Sequence, residues 1–455
     1  QPAKEKKSSK PNRLWDSINP PETVGDDSGG TFKGMVQAGI LWMNQCAALQ
    51  LTSDKKQQVL ELYHPKKESC SKVEKSVIEL SEHALAYLQE HAATSATDTF
   101  STFDDWDTLQ RVLLVWACNS FQGGRVYDTI SRINHSCNPN AVIVTTGDDG
   151  EGQRVVAATK ISSGTEIKIS YLGLLLYADT ATRQKKLADT KYFICGCSRC
   201  ESAPSQEGAA RIPCPTCHPR HPTQLCLDED VQYDDDGEVQ YICYGGNCKT
   251  CQKAPTQAGS KLEKVNASVC DKIGSFLNTY ETLNSGSHGD AESSSDNDND
   301  ENDAVLEEHV SLASTMMGNK HWTTNLTLLL HLDRRLSAMS KKMITTHELP
   351  SIEDIAEAID SLQRLFGYAE SLQLDLDAGH VLGDVTIGVS QKLVSLGDEK
   401  SQKYGAEWLD KINDYVENFG NEGLQKVVAA LKGAWKKHDR SDDCNEPKQS
   451  KKAKV

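Results

Sequence analysis

The sequence lacks any run of about 18 apolar residues, so we predict no membrane-spanning helix. A signal-peptide pattern is also missing from its first residues, which are polar and rich in lysine. An excess of positive charge is missing too: 49 Lys and Arg residues stand against 65 Asp and Glu residues, which leaves a net charge of −16. Because phosphate groups are bound by basic surfaces, this balance argues against DNA or RNA as a direct partner.

Cysteine, in contrast, is abundant. The 455 residues include 15 cysteines, several of them in C-x-C or C-x-x-C spacing. This spacing is typical of zinc sites in a reducing compartment, whereas disulfide frameworks belong to secreted chains. We therefore expect bound Zn²⁺ and a location in the nucleus and/or the cytoplasm. The basic segment Pro447–Val455 is either a nuclear import signal or a solvated terminus.

The most informative cysteine run is Cys195-Gly-Cys197-Ser-Arg-Cys200. Zinc prefers four thiolate or imidazole ligands in a tetrahedron, and this run supplies three. Cys137 lies upstream, inside the segment Asn-His-Ser-Cys, and is a natural fourth ligand. We therefore predict a closed, structural zinc site made of these four cysteines. Isolated buried cysteines are the alternative.

A second cysteine group has a similar form, with Cys214-Pro-Thr-Cys217 and Cys248-Lys-Thr-Cys251. About thirty residues separate the two pairs, which is more than the roughly 15–20 residues of a compact zinc ribbon. An acidic insertion at 228–238 accounts for the extra length. The pattern indicates either a second zinc site or unpaired cysteines in a partly ordered loop.

Three further segments stand in a fixed order before the first cysteine run. Cys118-Asn-Ser-Phe121 comes first, Asn134-His-Ser-Cys-Asn-Pro-Asn140 follows, and Gly164-Thr-Glu-Ile-Lys-Ile-Ser-Tyr171 is the third. With the cysteine run, this order resembles the second half of a SET-domain protein-lysine methyltransferase, and the best match is the SMYD-like branch. The resemblance is strong over residues 104–200 and weaker as far as residue 435.

The resemblance implies an α+β fold, in which small β-sheets of the SET type carry a zinc-bound post-SET segment and an all-α, TPR-like helical domain follows. It implies S-adenosyl-L-methionine as the cofactor and methyl transfer to a lysine of a histone or another protein. The acidic charge suits a substrate whose lysine lies in a basic segment. A peptide or protein partner is expected at the helical domain.

The resemblance also assigns roles to single residues. Tyr171 matches the catalytic tyrosine, whose hydroxyl orients the lysine amine and stabilises the charge that moves from sulfur to nitrogen. Structural alternatives remain: a cap or turn for Asn119, core packing for Phe193, and a buried or half-buried ring for the histidine and the tyrosine. The residues that match cofactor-binding positions are Asn119, Ser131, Asn134, His135 and Phe193.

Two departures from the family pattern leave a second interpretation open. Relatives commonly place an aromatic residue in the lysine channel where this chain has Lys191, although Tyr192 substitutes for it if the register shifts. No Gly-x-Gly turn precedes residue 104, and Cys46, Cys70 and Cys118 lack the spacing of a MYND finger. We therefore expect either a piece of a longer protein or a truncated gene model. The alternative function is a non-catalytic, zinc-stabilised adaptor that binds proteins.

Composition, hydrophobic spacing and the resemblance together divide the chain into eight segments, of which the SET, post-SET and TPR-like ones are named for what the resemblance implies. Their order reflects the alternation of cysteine-rich, acidic and helix-forming stretches. They are a disordered tail at 1–33, a helical insertion or SET-associated region at 34–103, the C-terminal part of the SET core at 104–175, the post-SET zinc segment at 176–201, a cysteine-rich insert and helix at 202–284, an acidic linker at 285–304, the helical TPR-like domain at 305–437 and a basic tail at 438–455.

Within these segments, periodicity predicts individual elements. Apolar residues at helical spacing predict helices, and β-branched or alternating runs predict strands. In the last predicted strand, Ile167, Ile169 and Tyr171 are expected on one face. The predicted elements are helices at Val73–His91, Asp105–Phe121 and Tyr404–Phe419, a hairpin of Ala141–Thr145 with Arg154–Ala158, and a strand at Glu166–Tyr171.

Overall fold

The structure is a computed structural model that describes residues 29–47, 51–94, 103, 105–121, 124–146, 152–202, 208–210, 212–213, 224–227, 241–243, 310–311, 313–314, 318–376, 378–396, 398–419 and 425–433. The helices are α1 Gly29–Ala47, α2 Ser53–Leu60, α3 Lys72–Thr94, α4 Trp106–Asn119, α5 Thr180–Lys191, α6 Ser198–Glu201, α7 Trp322–Thr346, α8 Ile352–Ser371, α9 Gly379–Ser395, α10 Glu399–Lys411, α11 Asn413–Phe419 and α12 425–433. The strands are β1 Asn134–His135, β2 Ala141–Thr146, β3 Gly152–Ala157, β4 Lys168–Ile169, β5 Ile212–Pro213, β6 Gln224–Leu227 and β7 Tyr241–Cys243.

The chain divides into two compact units. The first comprises Gln1–Asn134 and Gln184–Cys195, and the second comprises His135–Arg183 and Gly196–Val455. Over the described residues, no helix combines the length and the apolar character that a membrane crossing requires.

The first unit is a helical core made by α1, α3 and α4. α4 begins after Asp105, whose carboxylate accepts a hydrogen bond from the Thr108 backbone N–H at 3.3 Å, which satisfies one of the free donors of a helix N-terminus. Gly39 lets α1 approach α3, because a Cβ there would lie 2.6 Å from Leu88 Cδ1. The helices predicted at Val73–His91 and at 105–121 are confirmed as α3 and α4.

The second unit contains small sheets. β2 and β3 pair antiparallel, with Ala141 opposite Ala157 and Thr146 opposite Gly152, so the predicted hairpin is confirmed. β1 and β4 form a second pair, and β5, β6 and β7 form a three-stranded sheet in that order. The small sheets and the helical C-terminal region agree with the predicted α+β class. The TPR-like arrangement of the helices stays a prediction.

The helices α7 to α11 pack in chain order in the second unit. α8 has the clearest amphipathic pattern: Ile355, Leu362 and Phe366 recur at helical spacing and are all buried. The same helix reaches the segment that follows β4, because the Tyr368 hydroxyl donates a buried hydrogen bond to the Tyr177 carbonyl at 2.6 Å.

Two predicted segments have different ends in the structure. α1 begins at Gly29 and buries Phe32, so the disordered tail predicted at 1–33 is too long at its C-terminal end. The packing of α1 against α3 and α4 accounts for the extra helical residues. The helix predicted at Tyr404–Phe419 is interrupted, because Ile412 leaves the helical conformation (φ −109°, ψ 14°) and buries its side chain between α10 and α11.

The strand predicted at Glu166–Tyr171 is shorter than expected. Only β4 is extended and paired, and Ile167 is 47% exposed while Ile169 is 1% exposed, so the expected common face is wrong. The backbone on either side of Ile167 is hydrogen-bonded by a side chain and not by a neighbouring strand. The Asn140 amide donates to the Glu166 carbonyl at 2.9 Å, and its oxygen accepts from the Lys168 N–H at 2.8 Å.

Several predictions from the sequence fall outside the described residues. They are the second cysteine group of Cys214, Cys217, Cys248 and Cys251, the acidic linker at 285–304 and the basic tail at 438–455.

The N-terminus of α8 offers a test of the fold. Ser351 caps this helix, since its hydroxyl oxygen accepts from the Asp354 N–H at 3.0 Å. We expect Ser351→Ala to lower the free energy of unfolding by about 1 kcal/mol, because a backbone donor loses its partner. Chemical denaturation measures the change. Ser351→Asn keeps a capping oxygen and is the matched control, so equal destabilisation by both variants would contradict the capping role.

Candidate functional site

The four cysteines predicted to bind zinc are brought together. The Sγ atoms of Cys137, Cys195, Cys197 and Cys200 all lie within 4.8 Å of one another. The Sγ atoms of Cys137 and Cys200 are 3.5 Å apart. A zinc tetrahedron with Zn–S bonds of about 2.3 Å separates its sulfurs by about 3.8 Å. The donor set and its spacing therefore fit Zn²⁺.

Local backbone structure explains how the cysteines converge. Cys197 is the residue before the short helix α6, and the Cys200 N–H donates to the Cys197 carbonyl at 2.9 Å, which turns both side chains toward one side. Arg199 lies between them and donates to the carbonyls of Cys137, at 3.1 Å, and Leu176, at 2.6 Å. The sequence analysis missed this role of Arg199, although its place inside the cysteine run was visible.

His135 connects the cysteine cluster to Tyr171. Its Nδ1 accepts the Tyr171 backbone N–H at 3.1 Å, and its Nε2 lies 3.3 Å from Cys137 Sγ. Burial lowers the pKa of His135 to about 4, so the ring is neutral at pH 7. Because Nδ1 accepts, the single ring proton belongs on Nε2, where it is donated to the Cys137 sulfur.

Tyr171 directly follows the strand β4 and Ser170. Its ring centroid lies 5.2 Å from that of His135, with a tilt of 41° between the planes. Burial raises the pKa of Tyr171 to about 12, so its hydroxyl keeps its proton at neutral pH. The pair thus presents a neutral imidazole and a protonated phenol side by side.

In the first unit, Asn119 and Ser131 form a local network. The Asn119 amide donates to the carbonyls of Tyr63 and Val115, both at 2.7 Å. Ser131 donates to the Asn119 carbonyl at 3.2 Å and accepts from the Tyr127 N–H at 3.1 Å. The side chain of Asn119 thus closes the end of α4, in line with the capping alternative. The cofactor contact of either residue stays a prediction.

The remaining predicted residues of the first unit differ in exposure. Asn134 is exposed and Phe193 is partly buried. Lys191, the departure from the family pattern, is partly buried and donates to the Ser120 carbonyl at 2.7 Å, and burial lowers its pKa. Tyr192 packs into the helical core of this unit and has a left-handed backbone (φ 61°).

Comparisons with known proteins give a family match for part of the chain. The SET domain family matches residues 47–172, a span that includes His135 and Tyr171. It starts early enough to include α2 and α3, which lie in the region predicted as a helical insertion.

Similar proteins carry related names. N-lysine methyltransferase SMYD2-B of Danio rerio is 35% identical over 107 residues, which are 22% of this chain and 24% of that protein. Histone-lysine N-methyltransferase SMYD3 of Mus musculus is 33% identical over 110 residues, 22% of this chain and 24% of that protein. Histone-lysine N-methyltransferase ASHR1 of Arabidopsis thaliana is 43% identical over 83 residues, 18% of this chain and 16% of that protein. The chain therefore spans less than a quarter of the length of these relatives.

The environment of Tyr171 can be measured directly. The absorbance of ionised tyrosine is followed against pH for the wild-type chain and for Tyr171→Phe, and the second curve is subtracted from the first. We expect the difference to show one phenol with a pKa of about 12, instead of about 10 for a solvated tyrosine. Because folding raises this pKa, the neutral phenol contributes stability below about pH 10, which is lost as the pH rises through about 12.

Tyr404→Phe is the control, because Tyr404 is exposed on α10. The corresponding difference curve gives the absorbance change that one ionising tyrosine produces. A difference titration for Tyr171 with its midpoint near 10 would contradict the buried environment.

Proposed function

We propose that this chain, whose residues 47–172 match the SET domain family and which is similar in part to SMYD2-B and SMYD3, transfers a methyl group from S-adenosyl-L-methionine to the side-chain amine of a lysine in another protein. One observation carries the proposal: His135 binds the Tyr171 backbone and its ring lies beside the tyrosine ring. The two residues that the motif assigns to cofactor binding and catalysis are therefore neighbours in the fold.

The reaction sets the requirements for the site. The lone pair of the lysine nitrogen forms a C–N bond while a C–S bond breaks, so the amine must be neutral although its ordinary pKa is about 10.4. A dry channel favours the neutral amine, because desolvation disfavours the ammonium form. The cofactor, when bound, supplies a methyl carbon attached to a positively charged sulfur.

Tyr171 is proposed as the catalytic residue. Its raised pKa keeps the hydroxyl protonated, so the oxygen can accept a hydrogen bond from the lysine amine and hold its lone pair in one direction. The dipole of the phenol then stabilises the charge that moves from sulfur to nitrogen. Alignment of the amine supplies a large part of the rate, because few acid–base steps are needed.

The chemistry of the proposed cofactor residues fits a positively charged sulfonium. His135 is neutral at pH 7, so it does not repel that charge. Asn119, Ser131 and Asn134 offer uncharged amide and hydroxyl groups, and Phe193 offers an aromatic face, which attracts cations. We assign these five residues to cofactor binding on the strength of the motif.

The net charge of the chain is compatible with the proposed substrate class. The net charge of −16 suits a protein substrate whose lysine lies in a basic segment. We propose a histone or another lysine-rich protein in the nucleus and/or the cytoplasm, and a peptide or protein partner for the helical C-terminal region.

A non-catalytic adaptor is the second candidate function. It is favoured by Lys191, which is partly buried and hydrogen-bonded to Ser120 where relatives commonly have an aromatic residue. Calorimetric titration with S-adenosylhomocysteine separates the two candidates. Binding that Asn134→Ala abolishes supports the enzyme, and an absence of binding favours the adaptor.

Tyr171→Phe tests the catalytic role. We expect the rate of radiolabelled methyl transfer to a histone mixture to fall by about 100-fold or more, because one hydroxyl that stabilises the transition state is removed. The affinity for S-adenosylhomocysteine should stay within a factor of about two, since only an oxygen atom is lost.

The matched control is Tyr404→Phe, which removes the same atom from an exposed position on α10 and should leave the rate unchanged. Equal rates for the wild-type chain and Tyr171→Phe would refute the assignment of Tyr171.

A further inference from the structure

A fully buried arginine lies beside the cysteine cluster. Arg183 is 0% exposed, and its guanidinium donates to the Ala178 carbonyl and, at 2.9 Å, to the Thr180 hydroxyl. The same Nη2 atom lies 3.7 Å from Cys200 Sγ and donates to it. A buried cation is costly unless negative charge compensates it, so this position calls for an anionic neighbour.

Helix electrostatics alone do not explain the position. Arg183 lies in the first turn of α5, which begins at Thr180. The N-terminus of a helix carries partial positive charge and disfavours a cation there. Contacts outside the helix must therefore hold the guanidinium, and Cys200 is one of them.

A zinc ion held by the four cysteines would leave a net negative charge next to Arg183. Four thiolates around one Zn²⁺ carry a net charge of about −2. Cys137 is 0% exposed and Cys195 is 5% exposed, while Cys197 and Cys200 are partly buried, so water screens this charge only in part. Neutral N–H donors reduce the repulsion among the sulfurs only in part, and a nearby cation reduces it further.

We propose that Arg183 is a charge-compensating residue that retains zinc in the four-cysteine site. It acts through Cys200, and its bonds to Ala178 and Thr180 hold the guanidinium in place before the metal arrives. The hydrogen bonds that place Arg199 run instead to the backbone carbonyls of Cys137 and Leu176. The inference goes beyond methyl transfer, because zinc retention is measured without any substrate.

Two substitutions separate charge from packing. Arg183→Lys keeps the positive charge, and Arg183→Gln keeps an N–H donor for Ala178 but loses the charge. We expect Arg183→Gln to release zinc to a chromogenic chelator about 10- to 100-fold faster than the wild-type chain, the range typical for partners of metal ligands. Arg183→Lys should recover most of the wild-type rate.

The measurement uses the full chain with Cys214→Ser and Cys217→Ser, so that a second zinc at the other cysteine group does not contribute. Arg132→Gln removes an exposed arginine, paired with Asp128, and is the matched control that should leave the release rate unchanged. Equal release rates for the lysine and glutamine variants, or a wild-type rate for the glutamine variant, would overturn the proposal. If the glutamine variant does not fold, Arg183→Lys is the deciding variant. Zinc release from it more than about 10-fold faster than from the wild-type chain would show that a positive charge at this position is not enough to retain the metal, and would overturn the proposal.

Discussion

The convergence of four cysteine sulfurs is the constraint on which the described site depends. Cys137 follows β1, whereas Cys197 and Cys200 lie some sixty residues further along the chain, and their sulfurs meet within 4.8 Å. A metal that closes such a long loop removes much of the conformational freedom of the unfolded chain. His135 is two residues from Cys137 and donates to its sulfur. A metal held by the four cysteines would therefore also fix the histidine.

His135 in turn positions Tyr171, the proposed catalytic residue. The other ring nitrogen of this histidine accepts the Tyr171 backbone N–H, so the cysteine cluster, the neutral imidazole and Tyr171 form one chain of contacts. Helix α8 adds a second support, because the Tyr368 hydroxyl donates a hydrogen bond to the carbonyl of Tyr177, six residues after the proposed catalytic residue Tyr171. A metal bound by the four cysteines would in this way help to position Tyr171, a residue that does not bind the metal.

Local patterns in the sequence predicted a large part of this arrangement. The cysteine spacing predicted which four sulfurs converge, and helical or alternating periodicity predicted α3, α4 and the β2–β3 hairpin. The features that the sequence did not predict depend on contacts between residues that are far apart along the chain. The exposure of Ile167 follows from the side chain of Asn140, and the burial of Arg183 follows from the cysteine cluster. No local window of the sequence contains these pairs.

The most direct measurement is the zinc content of the purified chain, compared with that of Cys137→Ser by mass spectrometry of the metal. After dialysis of both proteins against a chelator, the wild-type chain should retain about one zinc more than the variant, whatever the second cysteine group binds, because a site that has lost one of its four thiolates holds the metal less tightly. Equal zinc contents in the two proteins would show that Cys137 is not a ligand. The account in which the metal site positions His135, and His135 positions Tyr171, would then be wrong.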